Sequence, residues 1–241
     1  MRGKPNANDR QGALLTPFHF VRDYERLVDQ LVRNYPIDEA MSMAVGGRFE
    51  SIGAIERDVL NYLGLKDGMS LMDLGCGSGR LASALSKRYK LDYTGADIVQ
   101  ALLDYAKTKS DPAYAFLLHR DLSIPLPDGS QDFFTAFSVF THLLHNESYI
   151  YLEEAKRILK PNGLAVFSFL EFAAPTHWAT FTHTTTATRM RSCPHLNTFI
   201  ERSAIAVWAE HLDFTVVEFI DPDKAPWGGI PLGQSIAVLR T

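Results

Sequence analysis

The sequence predicts an α/β fold: a doubly wound, mostly parallel sheet of seven strands with helices on both faces. Three observations predict it. Short apolar runs alternate with helix-period segments between residues 71 and 170, the pattern of consecutive βαβ units. Three glycines at alternate positions, Gly75, Gly77 and Gly79, follow the first apolar run directly, in LMDLGCGSGR. Two later runs, Thr215–Ile220 and Gln234–Arg240, bring the strand count from five to seven.

The elements follow in order. Residues 1 to about 15 are polar and read as a mobile terminus. Phe18–Leu31 has helical spacing at Phe20, Tyr24, Leu27, Val28 and Leu31. Met41–Phe49, with Gly46-Gly47, reads as a loop, and Ile55–Leu63 as a helix with Ile55, Val59, Leu60 and Leu63 on one face. The strands are then Leu71–Leu74, Leu91–Ala96, Tyr114–Leu118, Phe133–Phe140 and Leu164–Leu170. Helices Leu81–Tyr89, Ile98–Lys107 and Tyr149–Leu159 lie between them, the last stopped by Pro161-Asn162-Gly163. The alternation breaks after Glu171 for about thirty residues, and Glu201–His211 resumes as a helix. The organisation expected is a tail and helical cap over residues 1–50. A domain over 51–241 follows, with an acceptor-binding or lid insert at about 171–200.

Composition bounds the function. The chain has 241 residues, 46% hydrophobic and 22% charged, with a formal net charge of -4. Length and composition suit a globular α/β protein of one or two domains. The balance is acidic and shows no basic stripe, which argues against nucleic acid. Cys76 and Cys193 form no CxxC pair, so neither a disulfide framework nor a zinc cluster is supported. The scattered His142, His145, His177 and His183 include no pair at ligand spacing with a carboxylate on one element, and no metal is expected. The polar start lacks the apolar core of a signal peptide, and no apolar run reaches the length of a membrane span. The expectation is a cytoplasmic protein of unknown oligomeric state, monomer or homodimer.

Glycine costs backbone entropy in any regular element, so three in five residues need a reason. In open α/β sheets ligands bind outside the carboxyl ends of the strands. Gly75 can make the turn out of the strand, Gly77 can admit a ligand to the backbone, and Gly79 can let the next helix pack closely. The spacing is not the dinucleotide pattern G-x-G-x-x-G. It is D-x-G-x-G-x-G, from Asp73 to Gly79.

This pattern resembles the first motif of the class I S-adenosylmethionine (SAM)-dependent methyltransferases. Further segments resemble the family in order and spacing: YTGADI, which places Asp97 22 residues after Gly75; RDL, with Asp121; DFFTAFSVFTHL; and YLEEAKRILKPNGLAVFSFLE. The resemblance is close over about residues 55–171. The terminal GQSIAVLR fits the family's reversed hairpin, implying a reversed last strand. The implied cofactor is SAM, released as S-adenosylhomocysteine (SAH). Gly75, Cys76 and Gly77 would line its amino-acid part, and Asp73 would orient that loop. Asp97 would hold the ribose, Ile98 would pack on the adenine, and Asp121 and Leu122 would flank it. Ser138 and Val139 would line the methionine moiety. Arg80 either faces the methionine carboxylate or is a solvated residue of the first helical turn. Gly46, Gly47 and Arg48 either close over the carboxylate or form a plain loop.

Methyl transfer from a sulfonium depends mainly on positioning, with a base only where the acceptor must lose a proton. His142 and Glu171 follow the fourth and fifth strands and are the candidate catalytic residues. His145 is a weaker candidate, and His177 and His183 read more readily as surface residues. The chain lacks the [DN]PP[YFW] motif of enzymes that methylate DNA amino groups. Cys193-Pro194 is reversed and misplaced for a cytosine C5 nucleophile. A small-molecule acceptor is therefore expected, in a pocket shaped by Phe18–Tyr35 and Glu171–Thr198, with O- or N-methylation. The alternatives are a non-catalytic SAM-binding protein and a NAD-type oxidoreductase. Glycine spacing and the lack of a Tyr-x-x-x-Lys constellation disfavour the second.

Overall fold

A computed structural model describes residues 19–192 and 196–241. Its strands are β1 (Ser70–Leu74), β2 (Asp92–Asp97), β3 (Ala115–Leu118), β4 (Gln131–Ala136), β5 (Leu159–Phe169), β6 (Thr215–Ile220) and β7 (Ser235–Arg240). They form one sheet in the order β3-β2-β1-β4-β5-β7-β6. Neighbours from β3 to β5 pair in parallel, while β7 runs antiparallel to both β5 and β6. The terminal strand is thus reversed, as expected. Strand order turns round between β1 and β4, which opens a crevice at their carboxyl ends.

The helices are α1 (His19–Asn34), α2 (Ile37–Ala44), α3 (Phe49–Tyr62), α4 (Arg80–Ser86), α5 (Gln100–Lys109), α6 (His145–Ile158), α7 (Pro175–Arg189) and α8 (Arg202–His211). β1 is buried along its whole length, because its alternate side chains feed two separate cores. Leu71 joins α3 and α4 residues such as Leu60 and Leu85, while Met72 and Leu74 join α6 and α8 residues such as Leu152 and Ile205. A third cluster packs Val28 and Leu31 of α1 and Met41 and Ala44 of α2 against Val99 and Leu102. The N-terminal helices are therefore fastened to the start of α5, over the carboxyl end of β2.

Three local expectations are corrected. The expected loop at Met41–Phe49 begins with the end of α2, whose Ala40, Met41 and Ala44 are buried on one face. Pro161-Asn162-Gly163 lies inside β5 rather than after a helix. Asn162 takes a positive φ of 65° there, and the β4–β5 register shifts between Gln131 and Phe133. Residues 175–189, expected as irregular, form α7. Its threonines are tolerated because their hydroxyls bond back to carbonyls three or four residues earlier, as Thr184 does to Thr180 and Thr188 to Thr184. No helix among the described residues is long and apolar enough to cross a membrane.

Candidate functional site

The glycine loop is locked from several sides. Gly75 leaves β1 at a φ of +66°, and a Cβ there would stand 2.4 Å from a methyl of Val139 beyond β4. Gly79 has a φ of +83°, and its Cβ would meet Ala106 of α5 at 2.6 Å. Gly79 thus permits close helix–helix packing rather than helix–strand packing, and it does not line the cavity below. The Gly77 amide donates to Asp97 Oδ2 at 2.9 Å, and the Val99 amide to Asp97 Oδ1 at 3.0 Å. One carboxylate therefore ties the loop to the start of α5.

Between these elements lies a cavity of about 360 Å³ at the switch point of the sheet. Eleven sequence-predicted residues line it: Gly46 from the loop after α2; Asp73, Gly75, Cys76, Gly77 and Arg80 from β1 and its loop; Asp97 and Ile98 at the end of β2; Ser138, Val139 and His142 after β4. Arg80 proves to be a cavity residue. Its guanidinium pairs with Glu56 at 2.7 Å and donates to the Val45 carbonyl at 2.7 Å. Glu56 is almost fully buried, and burial pushes its carboxyl upward against the pull of Arg80. Asp73 is buried too, and accepts from Tyr93 Oη at 2.6 Å and Thr135 Oγ1 at 3.0 Å. Burial pushes its carboxyl up to about 7. Desolvation likewise raises Asp97 against the amides that bond to it.

Beyond β4, Ser138 holds a left-handed φ of 59°, unusual for a residue with a side chain. Its amide donates to Ser168 Oγ at 2.7 Å, and both serine hydroxyls donate to Gln234 Oε1, at 3.2 and 2.6 Å. This cross-strand network holds the end of β4 against β5 and the approach to β7.

A second cavity of about 300 Å³ adjoins the first. His142 and Gln234 line both. His142 Nδ1 donates to the Leu196 carbonyl at 2.7 Å, so the neutral ring carries its lone pair on Nε2. Its other face meets Tyr24 edge-on, with ring centroids 5.8 Å apart.

Glu171 is not a cavity residue. Nearly fully buried, it takes a two-pronged hydrogen bond from Arg202 and a further one from Ser235 Oγ. The strand end that was expected to deliver it to the acceptor turns it instead into an internal ion pair. Asp121 and Leu122 also lie off the cavity. Asp121 is exposed and its carboxylate accepts from the Leu122 amide at 2.7 Å, closing its own turn. From that edge of the sheet, His119 reaches the cavity instead, and its Nε2 is buried with no hydrogen-bond partner among the described residues. His145 is spent on the Phe199 carbonyl, and His183 is exposed on α7. His177 is buried rather than superficial: Nδ1 accepts from the Glu171 amide at 3.1 Å, and burial lowers its basicity. Cys193 and Pro194 lie outside the described residues. The α1 residues Tyr24 and Leu27 line the larger cavity, not the second one.

Sequence reasoning missed Glu56, His119 and Gln234. Glu56 had a legible signal, an acid at helical spacing among apolar residues that face the core. Gln234 had none, because only the reversal of β7 brings it beside Ser138. Among the described residues no group of three or more His, Cys, Asp or Glu could hold a metal ion.

The donor set fits SAM. A cation that also carries a carboxylate would meet two acids, Asp73 and Glu56, and the Arg80 guanidinium here, and a third acid, Asp97, stands at the end of β2, where the ribose would lie. Comparison with known proteins agrees. Residues 72–167 match the family described as a methyltransferase domain. Over those residues the chain is similar to methyltransferase domains, and its 3-2-1-4-5-7-6 sheet has the α/β fold it shares with solved methyltransferases. Among its relatives, demethylmenaquinone methyltransferase of Staphylococcus aureus (strain MRSA252) is 32% identical over 53% of this chain and 53% of its own. Ubiquinone biosynthesis O-methyltransferase of Bradyrhizobium diazoefficiens is 33% identical over 48% and 45%. The chain spans about half the length of these curated relatives. In fold it is similar to magnesium protoporphyrin IX methyltransferase of Synechocystis PCC 6803, solved with bound SAH, with a TM-score of 0.63 at 17% identity over 92% of this chain and 97% of that one. A possible histamine N-methyltransferase of Thermotoga maritima gives 0.60 at 18% identity, over 92% and 99%.

Proposed function

We propose that this protein methylates an oxygen or nitrogen of a small-molecule acceptor, with SAM as the methyl donor. The observation that carries the reading is the pair of adjoining cavities: one charged and built on the glycine loop, the other sharing His142 and Gln234 with it. When bound, SAM supplies an electrophilic methyl group and leaves as SAH. Asp97 offers its remaining lone pairs to the ribose hydroxyls. Arg80, held by Glu56 and Val45, faces the methionine carboxylate. Asp73 and Glu56 supply negative potential for the cationic part. Ile98 and His119 flank the adenine. Gln234, fixed by two serines, keeps the wall between the cavities in place. His142 takes the proton from an acceptor that must lose one, through the Nε2 lone pair that its bond to Leu196 establishes. The small-molecule acceptors named for the relatives support the acceptor class.

The test is calorimetric titration with SAM, SAH and NAD, followed by transfer of labelled methyl from SAM to pooled small molecules. Tight binding of the two sulfur ligands without NAD is expected. Binding of NAD alone, or binding of SAH without transfer to any acceptor pool, would overturn the enzymatic reading.

A further inference from the structure

The second cavity is built differently from the first. Its polar lining is Thr141, Thr176, Thr180, Asn197, Gln234, His142 and His177, all hydroxyl, amide or imidazole groups. Thr176 and Thr180 stand one helical turn apart on α7, and Thr184 a turn further on accepts from Asn197 Nδ2 at 2.8 Å. The opposite face of α7 is aromatic. Phe181 packs edge-on against Phe172 at 5.1 Å and lies 5.1 Å from Trp178, and Phe172 stacks on Phe199 at 4.7 Å. The helix is therefore fastened from behind, with its threonine stripe turned to the cavity. The facing segment is pinned as firmly: the Thr198 amide donates to Thr141 O at 2.8 Å and the Ile200 amide to Leu170 O at 2.7 Å.

We propose that this cavity takes a compact acceptor with no net charge, held by hydrogen bonds through hydroxyl, phenol or amide groups. The inference rests on the methyltransferase reading and specifies its substrate class. Hydroxyls and amides both donate and accept, so this lining satisfies neutral polar groups of either kind. A buried carboxylate or ammonium needs an ionised partner, or several kcal/mol of desolvation go uncompensated. The charges directly behind the lining are spent on each other, since Glu171 is bound by Arg202, which also holds Asp221 at 2.6 Å. Of the two imidazoles in the wall, His177 is kept towards its neutral form by burial, and His142 gives its Nδ1 proton to the Leu196 carbonyl. The volume of about 300 Å³ suits a molecule of modest size.

The experiment uses SAH-loaded protein and isosteric triplets. Each triplet is an alcohol or phenol carrying a carboxamide, a carboxylate or an aminomethyl group at the same position. Calorimetry should show the carboxamides binding at least tenfold more tightly than their charged isosteres. Thr180→Asp should transfer the preference to the aminomethyl members while SAH binding persists. Equal or tighter binding of either charged set, or no carboxamide binding at all, overturns the proposal while leaving the methyltransferase reading intact. Failure to bind SAH in the same preparation would instead sink the reading beneath it.

Discussion

Replacing Asp97 with alanine separates two consequences that the structure joins in one carboxylate. Its oxygens accept from Gly77 and Val99, at 2.9 and 3.0 Å, in a half-buried position. A hydrogen bond to a charged group contributes about 1.5–3 kcal/mol. Losing both should cost roughly 3 kcal/mol at the lower end of that range. For a chain of this size, that corresponds to a fall in Tm of about 6–12 °C. The ribose would lose two bonds of the same kind, again about 3 kcal/mol, or on the order of 100-fold in affinity. SAM and SAH share that ribose, so calorimetry well below the lowered Tm should show both weakened by the same factor. A variant that melts early yet binds SAH as the wild type does would refute the cofactor role and leave only the structural one. If SAM weakens and SAH does not, the carboxylate acts on the sulfonium charge and the ribose assignment is wrong.

Four other outcomes can be checked. Asp73 has a folded-state pKa of about 7, raised from 3.8 by burial, so the folded protein binds the extra proton between those values. Its contribution to stability is complete below about pH 4 and is lost as pH rises through 7, by up to about 4 kcal/mol. Melting across this range should show a decline that Asp73→Asn flattens, and an unchanged slope in the variant would contradict the assignment. Gly79→Ala should destabilise by about 2–5 kcal/mol, from positive φ and overpacking against Ala106, measured by denaturant unfolding. His142→Ala should lower kcat by about 10²–10⁴ for an acceptor that loses its proton, with SAM affinity little changed; equal rates would remove it from proton transfer. Glu171→Gln should cost roughly 1.5–3 kcal/mol of stability by leaving Arg202 paired with Asp221 alone. If stability holds and turnover alone collapses, the ion pair is not its role.

The sequence by itself determined the strand–helix alternation, the glycine loop and Asp97. These are local: periodicity specifies each element, and the loop's conformation is written in residues that tolerate positive φ. Asp73 and Ser138 were legible too, because they sit at strand ends, where this architecture gathers its ligand groups; Arg80, at the helix start that follows, was open between the cavity and solvent. Glu171 shows where that logic stops. It occupies the same kind of strand end, yet Arg202 and Ser235, 31 and 64 residues away, take its charge inward. No local pattern announces a partner at that distance. Gln234 reaches the site only through the reversal of β7, and His119 replaces Asp121 because a turn closed on itself at Leu122. The threonine run reads as irregular by propensity and becomes a helix because an aromatic cluster holds one side of it. Local preference thus determined which elements form. Long-range pairing and burial decided which side chains meet in the cavities, because contact energies depend on neighbours that the chain brings together only when folded.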